Sequence, residues 1–477
     1  MDKFFKVSAL TAAMVGALSA APAMANDPIG PEYASQASEF FSEATISGNL
    51  NFFMRARDRA GKPVDGGGDT IPGPDTAKTT NLDHGSIFAN LGFHSGYVAD
   101  VVGFDAVVYS TFDMWAGEET GGSFEHEMNF FDCSSPYGAG NGQGSGSCDS
   151  YKTDNGVSFA KAALKFKFGE NVNAQLGYFQ PSVPSSLGVN WSFAPGTYRG
   201  GEIGGNFGDL SLGFVYADQY KAPWFKETYE FRDGKFWGDA GKDVGDVYSM
   251  GARYALQNGI SFDVGYGGLT DGDRKNFHVK VKGTTDGGLY WSPQLYVVDD
   301  DNQFDSTAFQ AALLTAKSVG QYSFRAEATY TVADSEDTRG NVGNMAYRLT
   351  EQYGGSNGAY DIWWNNRSDF NHDGEYAFFL SSTRDFSDVG GTGFSAGVSG
   401  AYGAGAKAAG YDELVEYAYS FFANYAIQAG ALKDANIGFY YTNYFNDTDA
   451  PDWGAYSNGF NDETDFKLTL TIPFAVK

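Results

Sequence analysis

The C-terminal segment DFKLTLTIPFAVK places Phe466, Leu468, Leu470, Ile472 and Phe474 at every second position, with Lys467, Thr469, Thr471 and Pro473 between them. In an extended strand that spacing puts one set on each face. The same period recurs along the chain. Ile46, Gly48, Leu50, Phe52 and Met54 alternate with Ser47, Asn49, Asn51, Phe53 and Arg55, and a polar, Gly-rich stretch to about His84 follows. Ile87, Ala89, Leu91 and Phe93 then return against Ser86, Phe88, Asn90 and Gly92, and Phe104, Ala106 and Val108 begin a third run. Further alternating runs lie at 160–168, 172–179, 202–206, 210–217, 247–256, 260–267, 276–282 and 289–298. The series closes with 307–316, 322–331, 375–384, 394–402, 414–426, 436–445 and the C-terminal segment.

The pattern predicts eighteen strands, with sixteen as the alternative count. Short turns alternate strictly with long polar loops, and both chain ends fall on the short-turn side. That asymmetry fits an all-β, transmembrane antiparallel β-barrel with short periplasmic turns and long extracellular loops. An even count closes the sheet and leaves no edge in lipid. The apolar set of each run is then predicted to meet hydrocarbon and the polar set to line a wet lumen. The rival architecture is an exported soluble β-protein whose apolar faces pack into a core.

Composition supports strands and turns. Aromatic residues make up 16% of the chain, with 30 Tyr, 40 Phe and 63 Gly, as strand, girdle and turn residues require. The mean hydropathy of −0.34 does not argue against a membrane, because alternating faces cancel in any window. The formal net charge of −27 excludes the basic footprint of a nucleic-acid binder. Residues 1–25 read as an export signal: Lys3 and Lys6 lead an apolar run over 7–18, and Ala23-Met24-Ala25 precedes Asn26. Residues 26–477 then form one barrel domain. Cys133 and Cys148 flank a Gly/Ser-rich stretch and are predicted to staple a loop, since an exported protein meets conditions where disulfides persist. Such a short closure contributes about 3 kcal/mol.

The segments FFSEATISGNLNFFMRARDR, QPSVPSSLGVNWSFAPGTYRGGEIGG, GARYAL, GYFQPSVP and ALKD with DFKLTLTIPF stand in an order and spacing that resembles the outer-membrane porin D family. The resemblance covers essentially the whole mature chain. It implies an eighteen-stranded, substrate-preferring channel whose third and seventh loops, here roughly 180–200 and 332–374, fold inward. It also implies an Arg/Lys ladder that passes carboxylates. Lys165, Lys167 and Arg253 match rungs, and Lys280, Lys282 and Arg325 lie on polar faces by alternation. Arg199 and Arg348 are placed to reach the constriction from the two loops. Ser192, Gly397, Gly438 and Tyr440 occupy positions where the family carries basic residues, so the ladder is incomplete. What remains is aromatic: Trp191, Phe193 and Tyr198 in one loop, Trp363 and Trp364 in the other. Sugar rings stack on such faces, so the resemblance implies neutral oligosaccharides such as chito-oligosaccharides as cargo. Amino acids or small carboxylates are the alternative.

Several of these residues carry a second reading. Lys165 and Lys167 are either selectivity rungs or solubilising groups on a wet wall. Trp363 and Trp364 are a sugar platform, a packing anchor, or part of an interfacial belt. Arg55 and Arg57, at the outer end of the first run, are predicted to pair with acidic loops or lipopolysaccharide. DFNHDGE opens like a calcium loop, with Asp369, Asn371 and Asp373 at alternate positions, but Leu380 stands where the bidentate Glu belongs, and a turn competes with it. Five His, no nucleophile elbow and no HExxH argue against an enzyme and imply no cofactor. Outer-membrane lipid and lipopolysaccharide are the expected surroundings, small hydrophilic solutes the expected partners, and a homotrimer or a monomer the expected assembly. A polysaccharide-binding soluble protein and a barrel adhesin are the remaining alternatives.

Overall fold

The computed structural model describes residues 40–475 apart from 42, 62–64, 67–75, 118–129, 132–152, 190–194, 234–240, 335–343, 352–353, 409–410 and 447–460. The predicted export signal 1–25 and Cys133, Cys148, Trp191 and Phe193 lie outside the described residues.

The strands follow in chain order. β1 (Thr45–Arg59), β2 (Thr79–His94) and β3 (Val102–Ala116) come first. β4 (Phe130–Phe131) and β5 (Thr153–Asp154) pair only with each other, in the long connection after β3. β6 (Gly156–Phe168), β7 (Val172–Phe179), β8 (Thr197–Phe207), β9 (Leu210–Lys221) and β10 (Val247–Ala255) follow. Then come β11 (Ser261–Leu269), β12 (Lys275–Thr284), β13 (Leu289–Asp299), β14 (Ala308–Val319) and β15 (Tyr322–Val332). The last are β16 (Tyr376–Asp385), β17 (Phe394–Ala408), β18 (Tyr411–Ala426), β19 (Asn436–Asn446) and β20 (Glu463–Ala475). Eighteen of them form one antiparallel sheet, and β20 pairs with β1, Ile472 opposite Leu50 and Lys467 opposite Arg55. The sheet is a closed barrel, as the larger predicted count requires, and the sixteen-strand alternative falls.

Burial runs opposite to that of a soluble protein. Leu164, Leu176, Ile203, Met250, Leu313 and Leu380 are exposed, while Arg55, Asp105, Lys165, His278, Gln294 and Glu327 are buried. The C-terminal strand obeys the same rule, with Asp465 and Thr469 buried and Phe474 exposed. The alternation therefore points the apolar set outward to hydrocarbon, and the soluble β-protein reading fails on this inversion.

One expectation needs correction. Turns and loops do not alternate strictly in length. On the loop rim the connections 270–274, 300–307 and 409–410 are short, whereas the turn-side connections 386–393 and 427–435 are longer. Closing a barrel asks only that each hairpin close. Where β17 and β18 run on past the sheet, their own pairing, Ala408 opposite Tyr411, replaces a loop.

Candidate functional site

Described residues of two connections, 180–196 and 333–375, pack against the inner wall. The first rests on a lane of glycines. Gly204 of β8 stands opposite Gly213 of β9, Gly213 opposite Gly251 of β10, and Gly251 opposite Gly265 of β11. A Cβ on Gly251 would lie 2.5 Å from the Pro184 carbonyl carbon and one on Gly265 would lie 2.8 Å from that of Ser185, where 3.4–4 Å is ordinary contact. Cβ atoms on Gly204 and Gly213 would strike Val183 and Pro184. Only the missing side chains let Val183–Ser186 lie directly on the inner wall. From there Ser186 donates its N–H to Ser249 Oγ at 2.8 Å.

The two connections are joined to each other. Leu187 and Gly358 form a bridge, Gly188 N donates to Asn357 O at 3.1 Å and Ala359 N to Ser186 O at 2.8 Å. Tyr198, fully buried, donates from its hydroxyl to Asn357 O at 2.8 Å. Leu187 and Leu349 share one buried cluster with Phe179, Tyr220 and Phe225. The second connection packs Met345, Tyr347, Ile362, Trp364 and Phe370 against Tyr296, Leu314 and Phe379 of the wall.

Ion pairs pin that second connection to the wall. Asp361 accepts from Lys280 Nζ at 2.7 Å and Lys282 Nζ at 2.8 Å, and its N–H donates to Tyr296 OH at 2.9 Å. Burial alone pushes the Asp361 carboxyl up, but the two ammonium groups outweigh it and hold the carboxyl below the usual range. Arg325 donates to Glu327 Oε1 at 2.8 Å and to the Trp363 carbonyl at 2.9 Å. Trp364 Nε1 donates to Glu327 Oε2 at 2.8 Å while its ring stacks on Phe379 at 5.5 Å.

The remaining sequence candidates separate by environment. Lys165 is buried 2.8 Å from Asp105, which Lys161 and His94 also approach, at 3.0 and 3.2 Å. Lys167 holds Asp100 at 3.0 Å. Arg253, more than half exposed, donates to Asp263 at 2.7 Å. Arg199 pairs with Asp218, and its neighbour across the sheet is Tyr178, on the outward parity of Leu176. Arg348 folds back on its own loop and donates to the Thr350 and Glu351 carbonyls at 3.1 and 2.7 Å. Arg199 and Arg348 are therefore spent on local partners. Asp369, Asn371 and Asp373 do not converge: Asp369 is exposed, Asn371 donates to the Met345 carbonyl at 2.9 Å, and Asp373 accepts from Ala333 N at 2.8 Å.

Trp363 is half-buried and lines an open cavity with Arg367, Asp369, Tyr440, Thr442 and Lys467. Asp465 also lines it and accepts from Arg55 at both oxygens, at 2.7 and 3.0 Å. Arg57 is buried beside Glu463, which Arg367 grips at 2.7 Å. Arg55 and Arg57 thus face strand carboxylates inside the barrel, because the polar face of β1 turns to the lumen; the expected pairing with acidic loops or lipopolysaccharide is corrected. Lys161, Asp105, Arg367 and the glycine lane were not singled out from sequence. The signal was present only in part: Lys161 shares the period of Lys165, but the register that aligns the glycines is invisible in one strand.

The comparisons with known proteins agree with this geometry. The family described as outer membrane porin, OprD family, matches residues 38–476. The chitoporin of Escherichia coli (strain K12) is 34% identical over 488 residues, covering 96% of this chain and 97% of that protein. The crystal structure of Pseudomonas aeruginosa OccK8 (OprE) superposes with a TM-score of 0.68 at 14% identity, covering 92% of this chain and 100% of that one. That of OccK9 (OpdG) from the same organism gives 0.67 at 17% identity, again over 92% and 100%.

Proposed function

Because the chain belongs to the OprD family of outer membrane porins, we propose that its lumen favours neutral oligosaccharides, chito-oligosaccharides first among them, over carboxylates and amino acids. The chain is a channel of the Gram-negative outer membrane that passes small hydrophilic solutes by diffusion. We read residues 1–25 as its export signal and assign it no catalytic role.

One observation carries the choice of cargo. Lys165, Lys167, Arg253, Lys280, Lys282 and Arg325 each have a carboxylate as partner, Lys280 and Lys282 sharing Asp361 and Lys165 sharing Asp105 with Lys161. A cation paired at contact distance has less field left to draw an anionic solute than a free one. The wall then offers hydroxyls, amides and aromatic faces, of which Trp363 and Tyr440 flank the cavity under the second loop. Sugar hydroxyls and C–H faces match such a lining. The E. coli relative is named a chitoporin, which points to the same class of solute. Binding must stay weak enough for release, as in any conducting site.

Purified protein in a planar bilayer tests the reading. Chito-oligosaccharides are expected to interrupt the current in a concentration-dependent way, and Trp363→Ala to shorten those interruptions. Blockade by succinate or arginine with none by the sugars would overturn it.

A further inference from the structure

His372, Glu375 and Glu416 are all buried, and one ligand atom from each lies within 4.8 Å of the others. His372 and Glu375 end the connection 333–375, whereas Glu416 belongs to β18, opposite Gly403 of β17 and Asn446 of β19. The cluster therefore joins the root of the inward loop to the outer part of the barrel wall. We propose that these residues hold a divalent transition-metal cation, with zinc the best match, that fastens the loop in its inward position.

The spacing of the donors supports it. His372 Nδ1 lies 3.1 Å from Glu375 Oε2 and 3.5 Å from Glu416 Oε1. A tetrahedral site with ligand distances of about 2.0 Å has edges of about 3.3 Å, so small adjustments admit an ion. The donor set, one imidazole and two carboxylates, is one that zinc accepts and that leaves a fourth position.

A second observation points to a ligand. Glu375 Oε1 is buried and has no hydrogen-bond partner among the described residues. A buried carboxylate oxygen without a donor is costly, and a cation removes that cost. Space is kept for this oxygen: a Cβ on Gly403 would collide with it. The remaining carboxylate oxygens, Glu375 Oε2 and both of Glu416, are themselves held by hydrogen bonds, as the ligands of metal sites are. Ser368 Oγ donates to Glu416 Oε1 at 2.8 Å, Tyr444 OH to Glu416 Oε2 at 2.5 Å, and His372 N–H to Glu375 Oε2 at 3.0 Å.

The experiment uses the full barrel folded in detergent. The protein is treated with EDTA, desalted, and titrated with Zn²⁺ in millimolar Mg²⁺, which competes for exposed carboxylates. One equivalent of Zn²⁺ is expected to survive gel filtration, with affinity reduced tenfold or more in His372→Gln and in Glu375→Gln. Asp286→Asn, at an exposed turn, is expected to bind as the parent does. Heat-modifiable gel mobility confirms that each variant is folded. Should either Gln variant fail to fold, Co²⁺ bound to the parent supplies the readout, through the intense visible absorption of a tetrahedral nitrogen–oxygen site. Folded parent that retains no Zn²⁺ in Mg²⁺, variants that bind it with unchanged affinity, or Co²⁺ with an octahedral spectrum would each overturn the proposal.

Discussion

Replacing Gly251 by alanine tests the claim that missing side chains let the first inward loop rest on the wall. The added Cβ would start 2.5 Å from the Pro184 carbonyl carbon, with Pro184 O at 2.6 Å and Ser185 N at 2.7 Å. All three are backbone atoms, so no side chain can rotate away. Ordinary contact begins at 3.4 Å, and the loop must move off the wall by about 0.9 Å, a close-packing violation that costs about 1–3 kcal/mol. The loop is bonded to the second connection through Gly188 with Asn357 and Ser186 with Ala359. Displacement from the wall is therefore displacement into the lumen, and it carries the joint between the loops with it. Single-channel conductance is expected to fall while heat-modifiable mobility is kept, since the strand ladder is untouched. Gly400→Ala is the control: a Cβ there meets only Ala418 O, at 3.6 Å, and conductance is expected to hold. If Gly251→Ala conducts like the parent, the loop does not depend on the lane.

Other expectations follow from the same contacts. Asp361→Asn leaves Lys280, only 3% exposed, without its carboxylate, which costs about 3–5 kcal/mol of loop docking; reversal potentials in a KCl gradient are expected to shift toward anions, and an unchanged potential would refute the latch. Asp361 titrates below its unfolded value, so its contribution is complete above about pH 4 and is lost only as pH falls further. Conductance is accordingly expected to stay level from pH 7 down to about pH 4, and a transition centred near pH 6 would assign the latch to another group. Leu313→Arg, at an outward position 47% exposed, is expected to destabilise folding into bilayers by about 2–4 kcal/mol, whereas the same change on a water-facing wall would be nearly neutral.

The period of two determined most of the architecture. Alternation is a property of neighbouring residues, and it separated Phe474 from Thr469 and Leu91 from Phe88 correctly. The strand count followed because each run carried its own signal, and the aromatic and glycine content agreed with it. The resemblance of QPSVPSSLGVNWSFAPGTYRGG to a family loop implied that residues 180–200 fold inward.

What the tertiary structure alone decided was which polar groups meet. Arg55 and Asp465 are 410 residues apart in the chain and are brought together only when β20 closes on β1. Gly204, Gly213, Gly251 and Gly265 look like four unrelated strand glycines until the register lines them up under Pro184. Lys280 and Arg325 could be recognised from sequence as inward cations, but not as cations spent on Asp361 and Glu327. Side-chain direction is set by the dihedral angles of a few adjacent residues, so it is written locally. Cross-strand partners and docked loops depend on closure of the whole barrel, and no local pattern encodes them.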